Sequence, residues 1–70
     1  MEDFEDIFCE KCEEIIEDDI YSYHSMTLCE DCLFEIFLKE NNFDKRLTQD
    51  EMDDDDYFLW DRFRESHLEN

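Results

Sequence analysis

The chain has 70 residues and a formal net charge of −18, with 24 acidic residues against 6 basic ones. Such a charge repels the phosphates of nucleic acids, so it argues against direct nucleic-acid binding and favours a basic partner. The hydrophobic content of 41%, including 16% aromatic residues, predicts a folded chain. Seventy residues suffice for one domain, residues 1–70, whose small apolar core needs a further stabilising element.

The N-terminal segment, residues 1–6, carries four acidic residues and no basic one. A secretory signal needs positive charge followed by a long apolar run, and neither is present here. We therefore expect a cytoplasmic, reducing location in which the cysteines stay reduced. No stretch of the sequence is long and apolar enough to predict a membrane span.

Short β segments are predicted between the first and the second cysteine pair. Residues 13–17 and 20–24 flank an acidic turn, and residues 27–28 lead into Cys29. The chain contains no glycine and no proline, so Asn, Asp and Ser must form its turns. We expect a small hairpin, or three short strands, that returns Cys29 to the neighbourhood of Cys9.

A helix is predicted over Glu30–Glu40, where large apolar residues recur at helical spacing. Asn41 and Asn42 predict its end, because asparagine tolerates the left-handed backbone that terminates helices. The apolar arc of this helix is wide, so we expect it to pack against the cysteine region and against the C-terminal segment or a second copy. The arc consists of Leu33, Phe34, Ile36, Phe37 and Leu38.

A second, acidic and aromatic helix is predicted over residues 48–68. Thr48 and Glu51 fit a capping box, and an alternative start lies within the aspartate run at 53–56. Acidic residues lead this segment and basic residues end it, in agreement with the helix dipole. One face of this helix carries Met52, Asp56, Trp60, Phe63 and His67, and Tyr57 and Leu59 flank it.

The four cysteines form two Cys-x-x-Cys pairs, with sixteen residues between Cys12 and Cys29. A two-residue gap lets both thiolates of a pair bind one ion, and two pairs fill the four positions of structural zinc. We therefore predict one structural Zn²⁺ bound by Cys9, Cys12, Cys29 and Cys32. The alternatives are iron in the same site, a redox-active dithiol, disulfides, or a site in which His24 replaces one cysteine.

This order of a cysteine pair, a β region and a second pair that opens an apolar helix resembles the treble-clef zinc fingers. The resemblance covers residues 7–41 and rests on Cys9-Glu10-Lys11-Cys12 and on Leu28-Cys29-Glu30-Asp31-Cys32-Leu33. It implies a small α+β, zinc-stabilised fold with a hairpin and a helix. A zinc ribbon, which has strands in place of the helix, is the alternative. Such folds serve many functions, so the resemblance implies no particular one.

One departure from that family pattern is Glu13, which stands where many zinc knuckles have glycine. If Glu13 adopts a left-handed conformation, it costs about 1–2 kcal/mol. That cost is small beside the binding energy of structural zinc, about 10–16 kcal/mol in zinc-finger peptides.

Enzymatic activity is not expected from this sequence. Four cysteine ligands leave no open coordination position at a zinc ion, and a chain without glycine has no glycine-rich phosphate loop. The aspartate run at 53–56 lacks the ligand spacing of a calcium loop and is typical of a solvated helix start.

Two functions are compatible with the acidic surface. In the first, the chain is an inhibitor or regulator that imitates the charge of nucleic acid and binds the basic surface of a nucleic-acid-binding protein. Small acidic viral proteins that disable host nucleic-acid enzymes have a similar composition; in that case the location is the host cytoplasm or nucleus. In the second, the chain is an adaptor that docks to transcription or chaperone machinery through its aromatic helix.

The predicted partner-binding residues all lie in the second helix. They are Asp53, Asp54, Asp55, Asp56, Tyr57, Trp60 and Phe63. Alternatively, Trp60 and Phe63 close the small core over Leu33 and Phe37, because a short chain can spare few large side chains for its surface. Homodimerisation through the apolar arc at 33–38 is compatible with either function.

Overall fold

A computed structural model of the chain describes residues 6–69, so residues 1–5 of the predicted N-terminal segment lie outside it. The protein is a small α+β domain, as the sequence predicts, and it has a three-stranded antiparallel sheet and two helices. Neither helix in the described part of the chain has the length and apolar character that a bilayer span requires. The elements are β1 (Ile20–Tyr23), β2 (Met26–Leu28), α1 (Glu30–Glu40), a 3₁₀ turn (Gln49–Glu51), α2 (Asp54–His67) and β3 (Leu68–Glu69).

A tight hairpin joins β1 and β2, in which Tyr21 lies opposite Leu28 and Tyr23 opposite Met26. The two loop residues have positive φ angles, 50° at His24 and 66° at Ser25. Two such residues are what a two-residue type I′ hairpin turn requires. The turn directs the end of β2 back towards the first cysteine pair.

Helix α1 has the predicted bounds and ends in a Schellman motif. The N–H of Asn42 donates to the carbonyl of Lys39, and the N–H of Phe43 donates to the carbonyl of Leu38 at 2.8 Å. Asn42 has the expected left-handed conformation, with φ of 60°. The Phe43 ring then lies 5.5 Å from that of Phe37, which is the apolar contact that commonly accompanies this motif.

Helix α2 begins at Asp54, so the start predicted near Thr48 is wrong and the alternative within the aspartate run is confirmed. Gln49–Glu51 form only a 3₁₀ turn, without a side-chain cap from Thr48. Met52 is extended (φ −74°, ψ 140°) and packs against the core. A capping box is a local preference of about 1 kcal/mol, which the burial of an apolar side chain can override.

The core joins the two helices through aromatic side chains. The Trp60 ring is 0% exposed and lies 5.0 Å from Phe34 and 5.4 Å from Phe37, measured between ring centroids. Phe63 is half-buried, 5.3 Å from Phe37. The alternative in which Trp60 and Phe63 close the core is therefore confirmed. In this fold the Trp60 side chain has no surface accessible to a partner.

The apolar arc of α1 is occupied within the chain. Four of its residues are buried, and Ile36 is half-buried. Trp60 of α2 covers the arc at Phe34 and Phe37. The arc therefore leaves mainly Ile36 accessible to a second copy, and dimerisation through it stays a prediction.

The third strand of the sheet comes from the C-terminal end and not from residues 13–17. β3 pairs with β1, with Tyr21 opposite Leu68, whereas Ile15 forms only an isolated bridge with Phe8. At the end of α2, Nδ1 of His67 lies 3.0 Å from the carbonyl oxygen of Ser22 in β1. The C-terminal segment thus attaches to both the helix and the sheet that carry the second cysteine pair.

Candidate metal centre

The first cysteine pair sits in a tight turn whose backbone amides point at sulfur. Sγ of Cys9 accepts hydrogen bonds from the N–H groups of Lys11 at 3.3 Å and Cys12 at 3.4 Å. The N–H of Glu13 donates to the Cys9 carbonyl at 2.8 Å. Glu13 has a φ of 65°, so it adopts the left-handed conformation considered from the sequence. This turn exposes Cys12 while Cys9 is buried.

Glu10 anchors this turn to the hairpin. Its backbone N–H donates to the carbonyl of Thr27 at 2.8 Å, and its side-chain Oε2 accepts from the N–H of Thr27, also at 2.8 Å. Because Thr27 is two residues before Cys29, this reciprocal pair brings the two cysteine pairs together. This role of Glu10 has no sequence signal, since a glutamate between two cysteines has no distinctive spacing.

The second cysteine pair opens α1. Cys29 is the N-cap residue, and its carbonyl accepts from the N–H of Leu33 at 3.0 Å. Cys32 lies in the first turn, where the free backbone amides and the positive end of the helix dipole favour negative charge on sulfur. The predicted placement of this pair at a helix start is thus confirmed.

All four sulfur atoms lie within 4.8 Å of one another, so the four cysteines could hold a metal ion together. Sγ of Cys9 is 3.4 Å from Sγ of Cys32, and Sγ of Cys12 is 3.8 Å from Sγ of Cys29. Metal–sulfur bonds of about 2.3 Å in a tetrahedron put the sulfurs about 3.8 Å apart. The observed spacing therefore fits one tetrahedrally bound ion.

His24 does not join the cluster, which among residues 6–69 consists of the four cysteines. It lies in the hairpin turn with its ring edge-on to Tyr23, at a centroid distance of 4.2 Å. The alternative of three cysteines plus His24 is therefore wrong for this structure.

Burial and hydrogen bonding shift the pKa values of Cys9, Cys29 and Cys32. Burial raises the pKa of Cys9, but backbone hydrogen bonds from Cys12, Cys29 and Lys11 outweigh it and lower the pKa to about 6. Burial raises the pKa of Cys32, and its neighbouring sulfurs raise it further. Burial likewise raises the pKa of Cys29. Four thiolates this close repel one another, and a bound cation removes that repulsion.

The arrangement of the four sulfur atoms favours metal binding over disulfide formation. A disulfide needs sulfurs about 2.05 Å apart, whereas all four cysteines are free thiols here. The four sulfurs converge on a common centre rather than pairing off, and this convergence is what a single metal ion needs.

The predicted partner-binding residues divide between the surface and the interior. Asp53, Asp54, Asp55 and Tyr57 are exposed, while Asp56 and Phe63 are half-buried. The structure adds two exposed apolar side chains that the sequence analysis did not select, Phe58 at 60% and Leu59 at 48% exposure. Their position in the helical pattern could have found them, because neither falls on the face that carries Trp60.

Comparison with known protein families, with curated proteins and with solved structures finds nothing that matches this chain, so its resemblance to treble-clef fingers stays a prediction.

Proposed function

We propose that the chain is a zinc-stabilised, non-catalytic interaction module that binds the cationic surface of a nucleic-acid-binding protein in place of the nucleic acid. Zinc is the ion proposed because it prefers tetrahedral thiolate ligands and carries a complete ligand set in structural sites. The four converging sulfurs supply such a set. With every position taken by cysteine, the metal has no place for substrate and acts on stability alone.

The proposed function rests on the distribution of carboxylates over the surface. Within residues 6–69 no charged side chain is buried, so the acidic residues there all reach the surface. Only two of these carboxylates form ion pairs, Glu35 with Lys11 at 3.7 Å and Asp61 with Arg64 at 3.0 Å. Four more carboxylates, those of Glu10, Glu30, Glu40 and Asp44, accept hydrogen bonds within the chain, and most of the remaining acidic groups of this region are available to the cations of a partner. A dense array of free negative charge on a folded surface is the property that a nucleic-acid backbone presents.

A rigid, metal-bound scaffold would reduce the entropy that these carboxylates lose when they bind a partner. The metal centre fixes the N-terminal half, and the contacts of Trp60 with Phe34 and Phe37 fix the C-terminal half. Charges held in place lose less entropy on binding than charges on a disordered chain. Attraction between opposite fields also accelerates association and makes it sensitive to salt.

In this fold the adaptor hypothesis lacks its main predicted contact residue. Trp60, the side chain with the strongest hot-spot character, is fully buried. Substitution of Trp60 would therefore test folding rather than binding. Tyr57 remains exposed, so an apolar contribution from α2 is retained as a part of binding.

The test of the proposal combines capture with competition. The zinc-loaded chain is immobilised, and a lysate is passed over it at about 50 mM and about 300 mM salt, which strongly weakens contacts of the phosphate-mimicking kind. Each protein released by the higher salt is then purified and bound to a labelled nucleic acid. The proposal predicts that the free chain displaces that nucleic acid in a stoichiometric manner.

Two variants that remove the same number of charges from different parts of the chain test whether the whole acidic surface contributes to binding. One replaces Asp53, Asp54 and Asp55 by asparagine, and the other replaces Glu13, Glu14 and Glu17 by glutamine. If the whole acidic surface imitates nucleic acid, both variants displace the nucleic acid less well. A captured protein that keeps its nucleic acid while bound to the chain contradicts the proposal.

A further inference from the structure

One face of α2 is exposed along two turns and carries an ordered pattern of side chains. Asp55, Phe58, Leu59 and Arg62 follow the spacing i, i+3, i+4 and i+7, which aligns residues on a single helix face. All four are exposed, and none takes part in the core. We call these four residues the outer stripe.

The centre of the outer stripe consists of two exposed apolar side chains, Phe58 and Leu59. Phe58 is 60% exposed and Leu59 48%, and the adjoining Tyr57 is 40% exposed. Single exposed apolar residues are common on protein surfaces, whereas contiguous ones commonly mark contact sites. Three consecutive large side chains, at 57–59, are thus each at least 40% exposed.

Charged side chains lie at both ends of this apolar centre. Asp55 precedes it and Asp54 is also exposed, whereas Arg62 ends it with its guanidinium carbon 5.9 Å from the centre of the Phe58 ring. Arg62 forms no ion pair within residues 6–69, in contrast to Arg64, which binds Asp61. The stripe thus has an acidic end, an apolar middle and a free cationic end, over a helical rise of about 10 Å.

The net charge of the chain also indicates which kind of partner the outer stripe binds. A second copy of the chain brings another −18 charges, and this repulsion opposes the burial of only two apolar side chains per copy. A cationic surface with an apolar centre gains from Asp54 and Asp55 at one end of the stripe and from the two apolar side chains, while Arg62 at the other end stays over the Phe58 ring. We propose that the outer stripe is the contact by which the chain binds an apolar protein surface bordered by lysine and arginine side chains. This inference rests on the proposed function and adds an apolar anchor to the charge-based attraction.

The test uses two synthetic cationic probes. One is an amphipathic helical peptide of leucine and lysine, which presents an apolar face bordered by ammonium groups. The other is an oligolysine with the same number of lysines. Affinities of the zinc-loaded chain for both are measured by fluorescence anisotropy. We expect a preference of about tenfold or more for the amphipathic peptide, the scale of one well-buried aromatic side chain.

Phe58→Ser and Leu59→Ser should each remove most of this preference and leave the affinity for oligolysine within about twofold, because no charge changes. Ile15→Ser is the matched control, since Ile15 is equally apolar and 50% exposed but lies near the first cysteine pair. Unchanged fluorescence of the single tryptophan, Trp60, verifies that each variant is folded.

Three results would overturn the inference: equal affinity for the two probes, loss of the preference in Ile15→Ser, or its persistence in Phe58→Ser. A wild-type dimer in sedimentation that Phe58→Ser dissociates also overturns it, because the stripe then serves a second copy. Failure of the proposed function is distinguishable. In that case the chain does not displace nucleic acid from basic proteins, while the difference between the two probes and its dependence on Phe58 persist.

Discussion

The indole ring of Trp60 meets the ring of Phe34 edge-on, with 5.0 Å between the centroids. Phe34 lies two residues after Cys32, so this contact connects α2 to the helix that carries the second cysteine pair. The metal centre and the C-terminal helix therefore share one core. Unfolding of either half should expose the other, and the chain should unfold as a single unit.

Trp60→Ala should lower the free energy of unfolding by about 3–5 kcal/mol, because it removes the largest fully buried side chain and leaves a cavity between the helices. Urea denaturation of the metal-loaded protein, followed by circular dichroism, measures the change. Phe58→Ala serves as the control, and its effect should stay near 0.5 kcal/mol since this ring is mostly exposed. Equal destabilisation by the two variants would contradict the packing described for Trp60.

Cys29→Ser should prevent folding under conditions in which the wild-type chain is folded. The substitution removes one of four metal ligands, and the metal supplies much of the folding energy in small domains of this kind. His24→Asn is the matched control, because asparagine tolerates the positive φ at this turn and carries no imidazole. Amide NMR spectra should show native dispersion for His24→Asn and collapsed dispersion for Cys29→Ser. A well-dispersed spectrum of metal-free Cys29→Ser would refute the prediction.

Glu13→Gly should stabilise the protein by about 0.5–1 kcal/mol. Glycine relieves the left-handed strain at φ 65°, and its greater freedom in the unfolded chain offsets part of that gain. Glu14→Gly removes the same charge at a neighbouring position that lacks a positive φ, so it should destabilise the protein. Thermal unfolding of the zinc-loaded variants measures both effects. The opposite order of midpoints would show that the strain at Glu13 is not significant.

The local features of the metal region were predictable from sequence because their signals are short-range. The end of α1 at Asn42 follows from the tolerance of asparagine for positive φ. The left-handed conformation of Glu13 was considered because the resemblance to zinc knuckles places glycine at this position. The position of Cys29 at a helix start follows from the apolar periodicity that begins after it.

The C-terminal half was less predictable because tertiary contacts decide it. Thr48 and Glu51 carry a valid helix-start pattern, but packing of Met52 in an extended conformation postpones the helix to Asp54. β3 has only two residues, and it exists through its pairing with β1, which no local pattern encodes. The same holds for Trp60, whose residue type suits a core and a binding surface equally well.

Stability should increase with moderate salt. The net charge of −18 creates self-repulsion in the folded state, and only two ion pairs within residues 6–69 would be weakened by screening. The unfolding midpoint of the zinc-loaded chain should therefore rise between about 10 mM and about 200 mM chloride salt. Sodium and potassium salts should act alike, which separates screening from specific cation binding. A falling midpoint would mean that attractive ion pairs dominate.

A metal ion bound by the four cysteines is proposed to keep this acidic domain folded. Metal analysis of the purified chain, combined with amide NMR spectra before and after removal of the metal under reducing conditions, tests this proposal. We expect one zinc ion per chain, loss of amide dispersion when a chelator removes it, and recovery when one equivalent of zinc returns. A native, well-dispersed spectrum of the reduced, metal-free chain would contradict it.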